Sequence, residues 1–167
     1  NKRIPTYSDS YVNIASWTQR SQWNLANVHD PTVMKAADGY YYMYQTDASY
    51  GNSHVGHGHF HGRRSRDLVN WEYLGGTLMD DQPQWALDSV NAYFSRMGRA
   101  KVNKLTDMGY WAPVVRKIND NLYRMYYCLV PSEWAFIGMM ETTDPASNKW
   151  EDKGFVISSS SDKSASA

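Results

Sequence analysis

The 167-residue sequence has a single cysteine, Cys128, which excludes an internal disulfide framework and a cysteine-built metal site. It has no apolar run of transmembrane length, and its opening residues, Asn1-Lys2-Arg3-Ile4-Pro5, lack the pattern of a secretion leader. A chain whose leader had been removed looks the same. There is no excess of charge of either sign, because 17 Lys and Arg balance 17 Asp and Glu. Nucleic acid and anionic membrane both call for a basic surface, so neither is an expected partner. Helical periodicity is weak throughout. Aromatic rings are what the sequence does have, with 7 Trp and 13 Tyr. Such rings fill sheet cores, and they also form flat platforms on which sugars stack.

The chain repeats itself. His29 to Thr46 reads HDPTVMKAADGYYYMYQT, and 82 residues later Trp111 to Cys128 reads WAPVVRKINDNLYRMYYC without a gap. Pro31/Pro113, Val33/Val115, Lys35/Lys117, Asp38/Asp120, Tyr41/Tyr123, Met43/Met125 and Tyr44/Tyr126 are identical pairs. Both copies close on Trp-Glu-x-x-Gly, at Trp71–Gly75 and Trp150–Gly154. Each copy reads as four short antiparallel strands. An apolar stretch (Thr32–Ala36, Val114–Ile118) meets a turn at Asp38-Gly39 or Asn119-Asp120-Asn121, then an aromatic strand (Tyr40–Gln45, Leu122–Cys128). A third strand follows (Phe60–Arg66, Phe136–Thr142), then a fourth opened by Trp71 or Trp150.

Four strands per repeat with a tryptophan close is the pattern of a propeller blade. The expected organisation is a lead-in at 1–28, with Trp17 and Trp23 packing on the propeller, and blade one at 29–78. An inter-blade connection at 79–109, blade two at 110–157 and a polar connector at 158–167 complete it. A ring needs at least about four blades to close. The expectation is therefore an all-β chain holding two blades of a propeller that is incomplete without further polypeptide.

These residues resemble glycoside hydrolase family 43, in particular its arabinanases. The resemblance is carried by Asn27-Val28-His29-Asp30-Pro31, by Arg64 to Trp71, by Tyr110-Trp111-Ala112-Pro113, and by Ile137-Gly138 with Thr142 to Pro145 and Trp150 to Gly154. It implies a five-bladed propeller whose channel holds three acidic residues: a general base, an Asp that tunes pKa, and a Glu acting as general acid. Inversion by single displacement needs the two working carboxyls about 6.5–9.5 Å apart, with a water between base and sugar. Carried over by position, only the base falls in this chain, at Asp30. The acid and the tuning Asp are implied to lie in later blades, and so is the histidine through which a channel calcium is held.

The repeat singles out Asp30 independently. Its counterpart at the 82-residue offset is Ala112, so the acid is present at one channel position and absent at the equivalent one. Expected substrate contacts are His29, Trp111, Trp134, Glu133 and Asp47. Glu141 reads as a solvated structural residue. Trp71, Trp150 and the recurring Tyr41, Tyr44, Tyr123 and Tyr126 read as packing, and Asp67 and Asp144 as turn residues. His54, His57, His59 and His61 invite a metal reading, but the intervening glycines and the lack of a carboxylate partner argue against one. No metal ligand is assigned in this chain.

The expected substrate is arabinan or an arabino-oligosaccharide, the expected partner a polypeptide carrying the remaining blades, and the expected location secreted or periplasmic. Val114 stands where the resemblance calls for an Asp after Trp-Ala-Pro, which bears on which pentoside is cut. Two alternatives accompany this reading: a β-xylosidase or α-L-arabinofuranosidase of the same fold, and a non-catalytic carbohydrate-binding fragment.

Overall fold

The computed structural model describes residues 16–22, 28–47, 58–131 and 134–158. Among the described residues, eight strands form two four-stranded antiparallel sheets, each joined in chain order. The first holds β1 (His29–Lys35), β2 (Tyr41–Thr46), β3 (Gly62–Ser65) and β4 (Glu72–Gly75). The second holds β5 (Gly109–Asn119), β6 (Leu122–Val130), β7 (Phe136–Thr142) and β8 (Glu151–Ser158). Each sheet is a propeller-type blade.

Local chemistry explains the strand ends. Between β1 and β2 the chain turns at Gly39, whose φ of +83° suits a residue without a side chain. Asp38 fixes that turn by accepting from the Tyr40 amide at 2.9 Å and the Tyr42 hydroxyl at 2.6 Å. The glycines that end both Trp-Glu-x-x-Gly motifs also share a positive φ, +101° at Gly75 and +88° at Gly154, which accounts for their recurrence. Strand β3 is shorter than the expected Phe60–Arg66. His59 forms a bridge with Leu78 instead, and Phe60 at φ +54° turns the chain before it joins β2.

The two sheets pack face to face, with β5 lying against β1 and β2. On β6 the residues Tyr123, Met125, Tyr127 and Leu129 point into this interface, alternating with partly exposed neighbours. From the first sheet come Met34, Tyr42 and Tyr44. Polar ties cross the seam as well. The Ala37 amide donates to the Tyr123 hydroxyl at 2.9 Å, and the Val115 amide to Thr32 Oγ1 at 3.2 Å. At the outer edge the Asn148 side-chain amide donates to the carbonyls of Leu74, Gly75 and Gly76 at 3.0–3.2 Å. Of the four recurring tyrosines, only Tyr44 and Tyr123 are buried. Tyr41 and Tyr126 are half-exposed, each on the face turned away from the other sheet.

The connection between the sheets contains a helix that the sequence reading did not anticipate, α1 (Gln84–Arg96). Its buried face is Ala86, Val90 and Tyr93, spaced i, i+4, i+7. Trp85 anchors it on the second sheet by donating to Asp152 Oδ2 at 2.8 Å, while Tyr127 donates to Asp152 Oδ1 at 2.6 Å. No helix among the described residues is long and apolar enough to cross a membrane. Trp17, in the 3-10 helix Trp17–Gln22, is 59% exposed, with the Arg20 guanidinium 5.2 Å from its ring centroid. Trp23 lies outside the described residues.

Candidate active site

Both inner strands break register at the same point of the repeat. β1 slips between His29 and Thr32, and β5 slips between Trp111 and Val114. At the centre of each slip one residue takes the left-handed conformation, Asp30 at φ +46° and Ala112 at φ +46°. An L-residue pays roughly 1–2 kcal/mol for that conformation, and a short polar side chain such as Asp tolerates it better than Ala does. The bend therefore belongs to the blade itself, and the first blade alone adds a carboxyl to it. Asp30 is exposed, and its Oδ2 accepts from the Thr46 hydroxyl at 2.6 Å. Thr46, the last residue of β2, is only 6% exposed and pairs with His29 in the ladder. Its Oγ1 in turn accepts from the Ala112 amide at 2.8 Å. One hydroxyl thus joins the acid to the backbone of its own counterpart in the other sheet. The sequence reading passed over Thr46, although the alignment that sets Asp30 against Ala112 also sets Thr46 against Cys128.

The next residue, Asp47, points elsewhere. Its amide donates to the Tyr110 carbonyl at 2.9 Å, and its buried carboxylate lies 2.8 Å from His59 Nδ1. The other ring nitrogen of His59 is 2.7 Å from Asp81 on the inter-blade connection. The imidazole stacks flat on Tyr110, with centroids 3.5 Å apart and planes within 6°. Burial, and then the charges of Asp81 and Asp47, push the Tyr110 hydroxyl well above the ordinary phenol range. His59 therefore does have carboxylate partners, contrary to the sequence reading. They occupy both ring nitrogens and leave neither for a metal. His61 turns to the Tyr73 hydroxyl at 2.8 Å, so His59 and His61 do not share a site. His54 and His57 lie outside the described residues. Among the described residues no group of three or more His, Cys, Asp or Glu suits a metal ion. A cleft of about 460 Å³ opens beside Asp47, His59, Asp81, Lys104, Asp107 and Tyr110.

The aromatic candidates separate into two places. Trp111 is 49% exposed, adjoins the bend at Ala112, and lies over Gly109, where a Cβ would meet the indole at 2.5 Å. Exposed His29 adjoins the matching bend at Asp30. Trp134 instead packs on α1, tilted against Tyr93 with centroids 4.1 Å apart. It lines a cavity of about 200 Å³ with Phe94, Arg99 and Lys104, and Lys104 also lines the cleft beside His59. Glu133 lies outside the described residues. Glu141 binds Arg124 at 2.7–2.8 Å, consistent with a structural role. Asp67 and Asp144 both hold turns: Asp67 accepts from the amides of Val69 and Asn70, and Asp144 from the amide of Ala146.

Residues 25–165 match the sequence profile of Glycosyl hydrolases family 43. Over 111 residues the chain is 29% identical to the extracellular endo-α-(1→5)-L-arabinanase of Thermotoga petrophila, a match covering 66% of this chain and 20% of that protein. The fold resembles that of the native Bacillus subtilis arabinanase, with a TM-score of 0.56 at 22% identity, covering 80% of this chain and 39% of that one. The chain spans about a fifth of the first relative's length and about two fifths of the second's.

Proposed function

On the premise that the chain belongs to glycosyl hydrolases family 43, we propose that it forms part of an inverting hydrolase of α-1,5-linked L-arabinan, with Asp30 as the general base. The observation that carries this reading is the exposed carboxyl of Asp30, set on a left-handed bend whose equivalent in the second blade bears only Ala112. An ionised carboxylate presented in this way draws a proton from a water as that water attacks the anomeric carbon. The acid that protonates the leaving oxygen, and the Asp that tunes it, belong to polypeptide beyond these two blades. The short span of the match to both relatives supports this division.

His29 and Trp111 flank the two bends and are the proposed sugar contacts at the reacting centre. Asp47 acts beside the cleft it lines. Trp134, beside the cavity it lines, is the proposed contact for a sugar further from the reacting centre, and Glu133 remains a proposed substrate contact. Residues 29–78 and 110–157 are the two blades, and 79–109 is a helical insertion between them. The name of the extracellular relative supports action outside the cytoplasm. Val114, 40% exposed beside the second bend, favours one secondary reading, in which the same fold acts on another pentoside such as a xylo-oligosaccharide.

The test is sugar release from debranched arabinan and from xylo-oligosaccharides by the polypeptide that carries this chain. Arabino-oligosaccharides that appear with the parent and vanish with Asp30→Asn are expected. Release from arabinan that survives Asp30→Asn removes Asp30 as the base. Release from xylo-oligosaccharides alone transfers the proposal to the other pentosidase class. Sugar binding without turnover, unchanged in Asp30→Asn, indicates a carbohydrate-binding module.

A further inference from the structure

We propose that Thr46 is a positioning residue for Asp30, which selects the carboxylate oxygen that takes the proton from water; this rests on the reading of Asp30 as the base. Three observations lead there. The first is hydrogen-bond direction. Thr46 Oγ1 accepts from the Ala112 amide at 2.8 Å, so its own proton is directed to the remaining neighbour, Asp30 Oδ2 at 2.6 Å. An ionised carboxylate can only accept, so the two groups match. Oδ2 is thereby engaged, while Oδ1 receives no hydrogen bond from the described residues. Oδ1 is the oxygen left to face water.

The second observation is rigidity. Asp30 itself is exposed, and an exposed side chain on a bend has rotamer freedom to lose. Thr46 is buried, β-branched, and anchored at the end of β2 against a backbone amide of the other sheet. A stiff residue thus holds a mobile one, and the anchor spans both blades.

The third observation separates this role from simple stitching of the seam. Both blades carry the bend at φ +46°, so the backbone shape does not depend on the acid. Where the acid is replaced by Ala112, the hydroxyl is replaced too, by Cys128, which pairs with Trp111 as Thr46 pairs with His29. The blade that lacks the carboxyl also lacks the hydroxyl, as expected if the hydroxyl serves the acid rather than the bend.

The test compares Thr46→Val, Thr46→Ser and Asp30→Asn in the full arabinan-cleaving polypeptide, with KM and kcat measured separately and the melting point of each variant recorded. Valine keeps the shape and loses the hydroxyl, whereas serine keeps the hydroxyl and loses the methyl. Misaiming a reacting group by about an ångström costs on the order of a hundredfold, so Thr46→Val is expected to lower kcat by roughly 10–100-fold with KM little changed. Thr46→Ser is expected to recover most of that loss. A Thr46→Val enzyme with parental kcat, beside an inactive Asp30→Asn, overturns the positioning role and leaves the base in place. A lower melting point with unchanged turnover per folded molecule also overturns it and reduces Thr46 to a seam contact. An active Asp30→Asn removes the base and the positioning role together.

Discussion

Tyr44 in the first blade and Tyr126 in the second occupy the same position of the repeat, yet Tyr44 is fully buried and Tyr126 half-exposed. The pair Val33 and Val115 shows the opposite: Val33 is 45% exposed and Val115 is 1% exposed. The two contrasts have one cause. Tyr44 and Tyr126 lie on the face that each blade turns toward its successor, whereas Val33 and Val115 lie on the face turned toward its predecessor. Each residue is buried where the described structure supplies a neighbour on that side, and exposed where it does not. On the open side of the second blade, Val114, Tyr126 and Met139 are ladder neighbours, and so are Trp111, Cys128, Ile137 and Ile157. These rows are apolar, although Arg116, Arg124 and Glu141 lie on the same face. Burial is therefore set by the neighbour as much as by the residue, and the sequence identity of paired positions says nothing of their energetic weight.

The largest test of the comparison exchanges its one chemical difference. Asp30→Ala is expected to cost on the order of 10²–10⁴-fold in turnover, the usual worth of a positioned proton acceptor. Adding Ala112→Asp to that variant is expected not to recover it, although the bend is the same, because the hydroxyl partner is absent there. Recovery of activity would mean that any carboxyl on such a bend suffices. A second test concerns stability. Tyr44→Ala should destabilise by about 3–5 kcal/mol in urea unfolding, as buried aromatics do, and Tyr126→Ala by clearly less in this chain. The two costs should converge in a longer polypeptide that covers the second blade, and if they do not, that face is not an interface.

The smallest test compares the turns. Asp67 is held far below the usual carboxylate range by the amides of Asn70 and Val69, the Asn70 side chain and the Ser65 hydroxyl. A carboxylate with a depressed native pKa gives its full stabilisation above its unfolded pKa, near 4, and loses it as the pH falls toward the native value. Acid unfolding should therefore be less steep below about pH 4 in Asp67→Asn than in the parent. Asp144→Asn, which keeps an oxygen for the single amide of Ala146, should alter the urea midpoint less than Asp67→Asn at neutral pH.

The blades and their strand order were legible because each leaves a local mark, alternation or a turn residue, and the contrast of Asp30 with Ala112 could be read from the aligned repeat. Helix α1 was not legible. Its face of Ala86, Val90 and Tyr93 is narrow and falls between two strongly patterned blades, so the segment read as connection. The setting of His59 was hidden for another reason. Its two carboxylates come from the end of β2 and from the inter-blade connection, 12 residues before it and 22 residues after it, and only the fold brings them to one ring. The contact of Trp134 with Tyr93 was hidden in the same way, because it joins the sheet to a helix that was not anticipated. The difference between Thr46 and Cys128 was also present in the aligned repeat, as one of several. It was missed because a threonine at the end of a strand is unremarkable until its neighbours in space are known.

The left-handed bend at Ala112 has a consequence for how such a protein can change. A conformation that disfavours alanine persists at Ala112 without an acid, so the backbone offers the same perch in both blades whatever side chain occupies it. New chemistry at the second blade then requires two substitutions, one for the acid and one for its hydroxyl, and no rerouting of the chain. The fold carries an unused seat beside the occupied one, and moving a function between them is a matter of furnishing rather than of building.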